Sequence, residues 1–159
     1  MPNRSRKMLK MDRPFQRKGA QSNTQVGRDF EAKAQAFFAH QGLHLTPGLM
    51  LNIGISGRKA HNFDLGDRKK KVIVECKAHT WTEGDNVPSA KMTAWNQAMF
   101  FFHVAPTDYR KIFFVLQDIS RKRNETLGQY YVRTNRHLIP TDVEVWEFDD
   151  RNNEARKIK

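Results

Sequence analysis

The run Lys-Lys-Lys-Val-Ile-Val-Glu-Cys-Lys, residues 69–77, constrains this chain more than any other stretch. Its β-branched residues at 72–74 favour a buried strand, because branched side chains pack well on a pleated surface. A core strand ordinarily closes in a turn residue, yet this one runs directly into Glu75 and Lys77. Side chains two apart on a strand leave the same face, about 7 Å from each other. Glu75 and Lys77 are therefore expected to share a side with Ile73, with Val72, Val74 and Cys76 on the other. The pattern acid-x-Lys also occurs at Glu31–Lys33 and Asp67–Lys69. The first of these falls on a helical stretch, where positions two apart diverge, and the second in a turn. Only Glu75–Lys77 sits on a rigid strand.

Asp64 stands eleven positions before Glu75, between Phe63 and Leu65, both of which are expected to pack inward. If 61–65 and 71–77 pair through a polar turn at Gly66, Asp67 and Arg68, the two acids converge at one end of a sheet. Two carboxylates and a lysine suit phosphodiester hydrolysis. Magnesium takes hard oxygen ligands and keeps several waters, so one or two carboxylates hold it beside a phosphate. The ion acidifies water and stabilises charge on the phosphoryl oxygens, and the lysine orients or deprotonates that water or offsets charge at phosphorus. The same residues also admit plainer arrangements: an exposed Glu75–Lys77 ion pair, and an Asp64 that bonds its own backbone beside a turn.

Around this centre the periodicity predicts a helix over 23–41, with a Ser22/Gln25 capping box, apolar residues Val26, Phe30, Ala34, Phe37 and Phe38, and Gly42 as C-cap. Strands are expected at 49–56, 61–65 and 71–77, then a loop at 80–88. Ser89 is expected to cap a helix to His103 with Met92, Trp95, Met99 and Phe102 on one face. A strand buried on both faces follows at 111–118. Residues 125–139 keep helical spacing at Leu127, Tyr131, Thr134 and Leu138, although Tyr-Tyr-Val-Arg alone suits a strand; helix is the reading adopted. A last strand at 143–148 precedes a charged flexible tail over 150–159. The expected class is α/β in the order αβββαβ, a mixed central sheet flanked by helices, with an appended helix and strand.

A length of 159 residues suits a single domain, expected over 22–149. No apolar run approaches the roughly 18 residues of a membrane span, and the N-terminus lacks the apolar core of a secretory signal, so a soluble cytoplasmic protein is expected. Cys76 is the only cysteine, which excludes an internal disulfide, and no His/Cys group has zinc-ligand spacing. The net charge of +11 points to a polyanionic partner. Residues 1–25 hold seven basic residues against the single acid Asp12, or +6 of that total. Residues 1–21 are read as a disordered basic arm, a solubilising tail or targeting presequence being the alternatives.

Phe-Asp-Leu-Gly-Asp-Arg-Lys-Lys-Lys-Val-Ile-Val-Glu-Cys-Lys, residues 63–77, resembles the paired motif of the PD-(D/E)XK nuclease superfamily, which includes restriction endonucleases, archaeal Holliday-junction resolvases and RecB-like nucleases. The resemblance covers about residues 23–118 and implies a restriction-endonuclease-like core. It implies that Asp64, Glu75 and the main-chain carbonyl of Cys76 bind Mg²⁺, with Mn²⁺ able to substitute, and that Lys77 is the catalytic lysine. Glu31 occupies the place of a glutamate common on the first helix. Gln97 matches the glutamine of a RecB-like signature, with Phe101 where a tyrosine would stand and Phe63 where the motif's leading proline would. The implied activity is a magnesium-dependent DNA endonuclease of restriction or defence type, expected as a homodimer. Arg13, Arg17, Lys18, Arg58, Lys59, His79 and Lys91 are the expected DNA-contacting residues. The rival readings are a Holliday-junction resolvase, a non-catalytic nucleic-acid-binding protein on a nuclease fold, and a basic structural protein.

Overall fold

The computed structural model describes residues 23–159. The expected basic arm with Arg13, Arg17 and Lys18, and the Ser22 half of the capping box, lie outside the described residues. The elements are α1 (Asn23–His40), β1 (Thr46–Ile53), β2 (Lys59–Asp67), β3 (Val72–Lys77), α2 (Ser89–His103), β4 (Arg110–Leu116), β5 (Ile119–Ser120), β6 (Glu125–Thr126), α3 (Leu127–Thr134), β7 (Val143–Asp149) and β8 (Glu154–Lys157). The architecture is mixed α/β. Six strands form one sheet in the order β1-β2-β3-β4-β7-β8, parallel at β3–β4 and β4–β7 and antiparallel elsewhere. No helix among the described residues is long and apolar enough to cross a membrane.

Two apolar layers enclose the sheet. Phe30, Ala34 and Phe38 of α1 pack on Val72, Val74, Cys76, Ile112, Phe114 and Phe148. On the other face, Met92, Trp95, Met99 and Phe102 of α2 and Leu127 and Tyr131 of α3 pack on Ile73, Phe113 and Val145. β4 supplies both layers, so its Ile-Phe-Phe-Val run is apolar at every position. Gly42 ends α1 as the sequence suggests: at φ 77° it donates to Ala39 O, and Leu43 N donates to Phe38 O at 2.9 Å, the two bonds of a Schellman cap.

Several expectations are corrected. Ser89 is the first helical residue and not the cap; Pro88 precedes it, with no side-chain capping bond. A cap with a reciprocal pair is on α3, where Thr126 Oγ1 accepts from Gln129 N and Gln129 Oε1 accepts from Thr126 N. Gly66 is not a turn glycine. β2 continues to Asp67, and a Cβ at Gly66 would lie 2.5 Å from Leu49 Cδ2 and 2.8 Å from Val72 O, so close strand packing requires glycine there. The expected flexible tail over 150–159 instead contains β8, which pairs with β7 from Asp149↔Glu154 to Trp146↔Lys157. Its four residues carry three charges and no apolar alternation, a composition that an edge strand tolerates because one side faces water.

The correction that matters most for function concerns β2. Phe63 and Leu65, two apart, should share a face, yet Phe63 joins the α2 layer opposite Leu49, and Leu65 joins the α1 layer opposite Val74. The strand turns over at Asp64. The β2–β3 ladder ends at the adjacent pair, Leu65↔Val74, while β2 remains paired with β1 as far as Lys59. The sheet therefore forks between β2 and β3 beside Asp64 and Glu75.

Candidate active site

The fork leaves the amide of Cys76 without a β2 partner. Asp64 supplies one: Cys76 N donates to Asp64 Oδ2 at 2.7 Å, which ties the acid to the end of β3. Glu75, only 4 % exposed, lies under the surface on β3. Its Oε1 is 3.0 Å from His61 Nε2, and its Oε2 accepts from Lys77 Nζ at 3.4 Å. His61 is held by ring packing, 4.0 Å between centroids from Phe101 of α2 and edge-on to Phe63 at 4.6 Å. Glu31, on the first half of α1, completes the group.

These groups lie close enough to shift one another's ionisation. Burial, then the charge of Glu75, push Asp64 up to about 7, against the pull of the Cys76 N–H and Lys77. Burial raises Glu31 above the usual carboxylate range, and Lys77 offsets part of that. Three acids thus crowd around one ammonium. Acids that raise one another suit a cation, and carboxylate and carbonyl oxygens suit a hard one such as Mg²⁺ or Mn²⁺ better than a soft metal. Asp64, Glu75 and the carbonyl of Cys76 fit that donor type. Among the described residues no three His, Cys, Asp or Glu side chains form a ready-made ligand cluster, as the engagement of Glu75 with His61 and Lys77 would suggest.

Glu31, Asp64, Cys76, Lys77, His79 and Lys91 line a cleft of about 580 Å³. A second cleft of about 510 Å³ shares Gly27, Glu31 and Asp64 with it and continues past Arg28, Gly48 and Asn62. A groove therefore passes over Asp64 in both directions. The 78–88 wall is braced from behind, where Trp81 donates its amide to Asp118 Oδ2 at 2.8 Å and its indole N–H to Asp118 O at 3.0 Å. Arg123 stacks over Trp81 at 5.0 Å and donates to Asp85 O at 2.9 Å.

His79 is not a simple surface cation. Trp95 Nε1 donates to its Nδ1 at 2.7 Å, which leaves the imidazole proton on Nε2. Burial, with Lys91 and Lys77 nearby, holds His79 down at about 4, so it is neutral at pH 7. Gln97 is not part of the group: it is exposed on α2 and outside the lining of the Asp64 cleft. Phe101 meets the site at His61. Arg58 and Lys59 sit at the far end of the β1–β2 hairpin, exposed. Sequence reasoning missed His61 as the partner of Glu75; its position two residues before Phe63 on β2, on the Glu75 side of the hairpin, was the available signal. No family model matches the chain, and no curated protein and no solved structure is found similar to it, so the site is read from its own geometry.

Proposed function

We propose that this chain is a magnesium-dependent DNA endonuclease of the PD-(D/E)XK kind, hydrolysing phosphodiester bonds within a strand. The observation that supports it is the convergence of Asp64 from β2 with Lys77 from β3 at the fork of the sheet, where two clefts meet at Asp64, with Glu75 buried behind them and bonded to Lys77. An open-ended groove accepts an internal phosphate, with chain continuing to either side.

Asp64, Glu75 and the Cys76 carbonyl are the groups that would hold the ion. When bound, Mg²⁺ supplies acidification of water and charge neutralisation at the phosphoryl oxygens. Lys77 is the cation that contacts Glu75; it orients the attacking water and offsets negative charge developing at phosphorus. His79, neutral, donates from Nε2 to a phosphate oxygen without adding charge. Lys91 and Arg28, on opposite arms of the groove, attract the flanking phosphates, so affinity falls steeply with salt. A homodimer, each copy cutting one strand, is the simplest way for a single-site chain to break a duplex.

Plasmid cleavage in magnesium tests the chemistry. Nicking or linearisation by the wild type, lost in Asp64→Asn and Lys77→Ala, is the expected result, and undiminished cutting by both variants overturns the assignment. Parallel digestion of linear duplex and a four-way junction separates restriction-type cutting, a ladder of specific fragments, from resolution, symmetric nicks at the crossover. A second reading, a nuclease fold that binds DNA without cutting, draws support from the occupied Glu75 carboxylate. Under it, manganese produces no thermal shift that Glu75→Gln removes.

A further inference from the structure

The β1–β2 hairpin outruns the rest of the sheet. Beyond the last β2–β3 pair, Leu65↔Val74, the two strands continue as a ribbon from Leu49↔Phe63 to Ile53↔Lys59. Its turn, Gly-Ile-Ser-Gly-Arg at 54–58, is built to a specific shape. A Cβ at Gly54 would sit 2.1 Å from Gly57 O, and Gly57 itself has φ 87°, so neither position accepts a side chain without strain. That turn throws Ile55 into solvent at 75 % exposure, the highest among the large apolar side chains of the described residues. Ile53, at the last pair of the ribbon opposite Lys59, is still buried in the α2 layer, so the ribbon is anchored up to its turn and only the turn is bare.

Charge says what the tip meets. Arg58 and Lys59 follow it, and residues 46–63 contain no acid at all. The ribbon leaves the fork on the side where β3 ends at Lys77 and where α1 starts, which is the side of the groove over Asp64. An apolar side chain followed by two cations at the turn of a two-stranded ribbon matches the wedge that unstacks base steps in a duplex groove. Five strand steps run from Asp64 to Lys59; at roughly 3.3 Å each they place the base of the turn about 17 Å from Asp64, about five base steps of duplex.

We propose that the ribbon tip enters a groove of duplex DNA and inserts Ile55 between adjacent base pairs, kinking the duplex about five base pairs from the phosphate at the Asp64 site. The cations Arg58 and Lys59 hold the flanking phosphates. This rests on the nuclease reading for its substrate and goes beyond it in naming how the duplex is gripped.

The test is a series of duplexes, each with one 2-aminopurine, titrated with the full chain in EDTA so that nothing is cut. Unstacking brightens the analogue. The wild type is expected to raise emission at one step and its immediate neighbour, and Ile55→Ser to abolish that rise while melting as the wild type does. Arg58→Ala with Lys59→Ala should weaken binding and reduce the salt slope by about two. A wild type that binds with no bright step, an Ile55→Ser variant that keeps the brightening, or a wild type that fails to bind duplex overturns the wedge. The nuclease reading is judged separately by cleavage in magnesium: Ile55-dependent brightening without cleavage refutes the enzyme and leaves the wedge, and Asp64-dependent cleavage without brightening does the reverse.

Discussion

Replacing Asp64 by asparagine should make the protein harder to unfold at pH 8. In the folded chain Asp64 keeps its proton up to about 7, because burial and the Glu75 charge oppose ionisation, whereas the ordinary value is 3.8. Between those two values the folded state binds more protons than the unfolded state, so stability falls as pH rises through the window and is lowest above it. At about 1.4 kcal/mol per pH unit the ionised acid costs about 4 kcal/mol at pH 8, less to the extent that Glu75 takes a share of the proton. Asparagine keeps the volume and an oxygen to accept the Cys76 N–H, and it carries no charge. Thermal melts in EDTA should show the variant higher by about 10 °C at pH 8, with the gap closing to within about 3 °C near pH 4, where the folded acid is protonated and the unfolded one is close to its own midpoint. Magnesium should then raise the wild type and leave the variant unmoved. An asparagine variant no more stable than the wild type at pH 8 would refute the claim that Asp64 is held against its own charge.

Gly66→Ala forces a methyl into Leu49 and the Val72 carbonyl and should cost about 1–3 kcal/mol in urea unfolding, with a change below about 0.5 showing that the strands separate easily. His79 should show no ring titration above about pH 5 by NMR; because its folded value is depressed to about 4, its contribution to stability is lost as pH falls from 6.5 through 4. Thr126→Ala removes the capping pair of α3 and the hydroxyl donated to buried Glu147, and should cost about 1–2 kcal/mol by chemical denaturation.

The elements that the sequence made legible are those whose local pattern and tertiary role agree. Phe30, Ala34 and Phe38 recur at helical spacing because one face of α1 meets the sheet, and β4 is apolar throughout because both its faces are covered. Asp64, Glu75 and Lys77 were legible for the opposite reason: charges at the end of a core strand break the pattern. Features set by distant contacts were not legible. Gly66 looks like turn punctuation until Leu49 is found against it. β8 has no apolar signature because its partner, β7, supplies the buried side; Arg156 crosses instead to Glu147, at 2.9 Å. Gln97 and Phe101 lie one turn apart on the same side of α2, yet Phe101 meets His61 while Gln97 is exposed, a difference that helical spacing alone does not reveal.

The reversal of β2 at Asp64 divides one strand into segments that answer to different neighbours. Residues 59–63 are judged by β1 and the α2 layer, and residues 65–67 by β3 and the α1 layer. Evolution can lengthen or shorten the outer hairpin by paired residues, keeping alternation intact, without shifting the register that carries the acids. The length of the outer hairpin is thereby heritable independently of the register at Asp64, as a tool handle can be refitted while the blade stays in place.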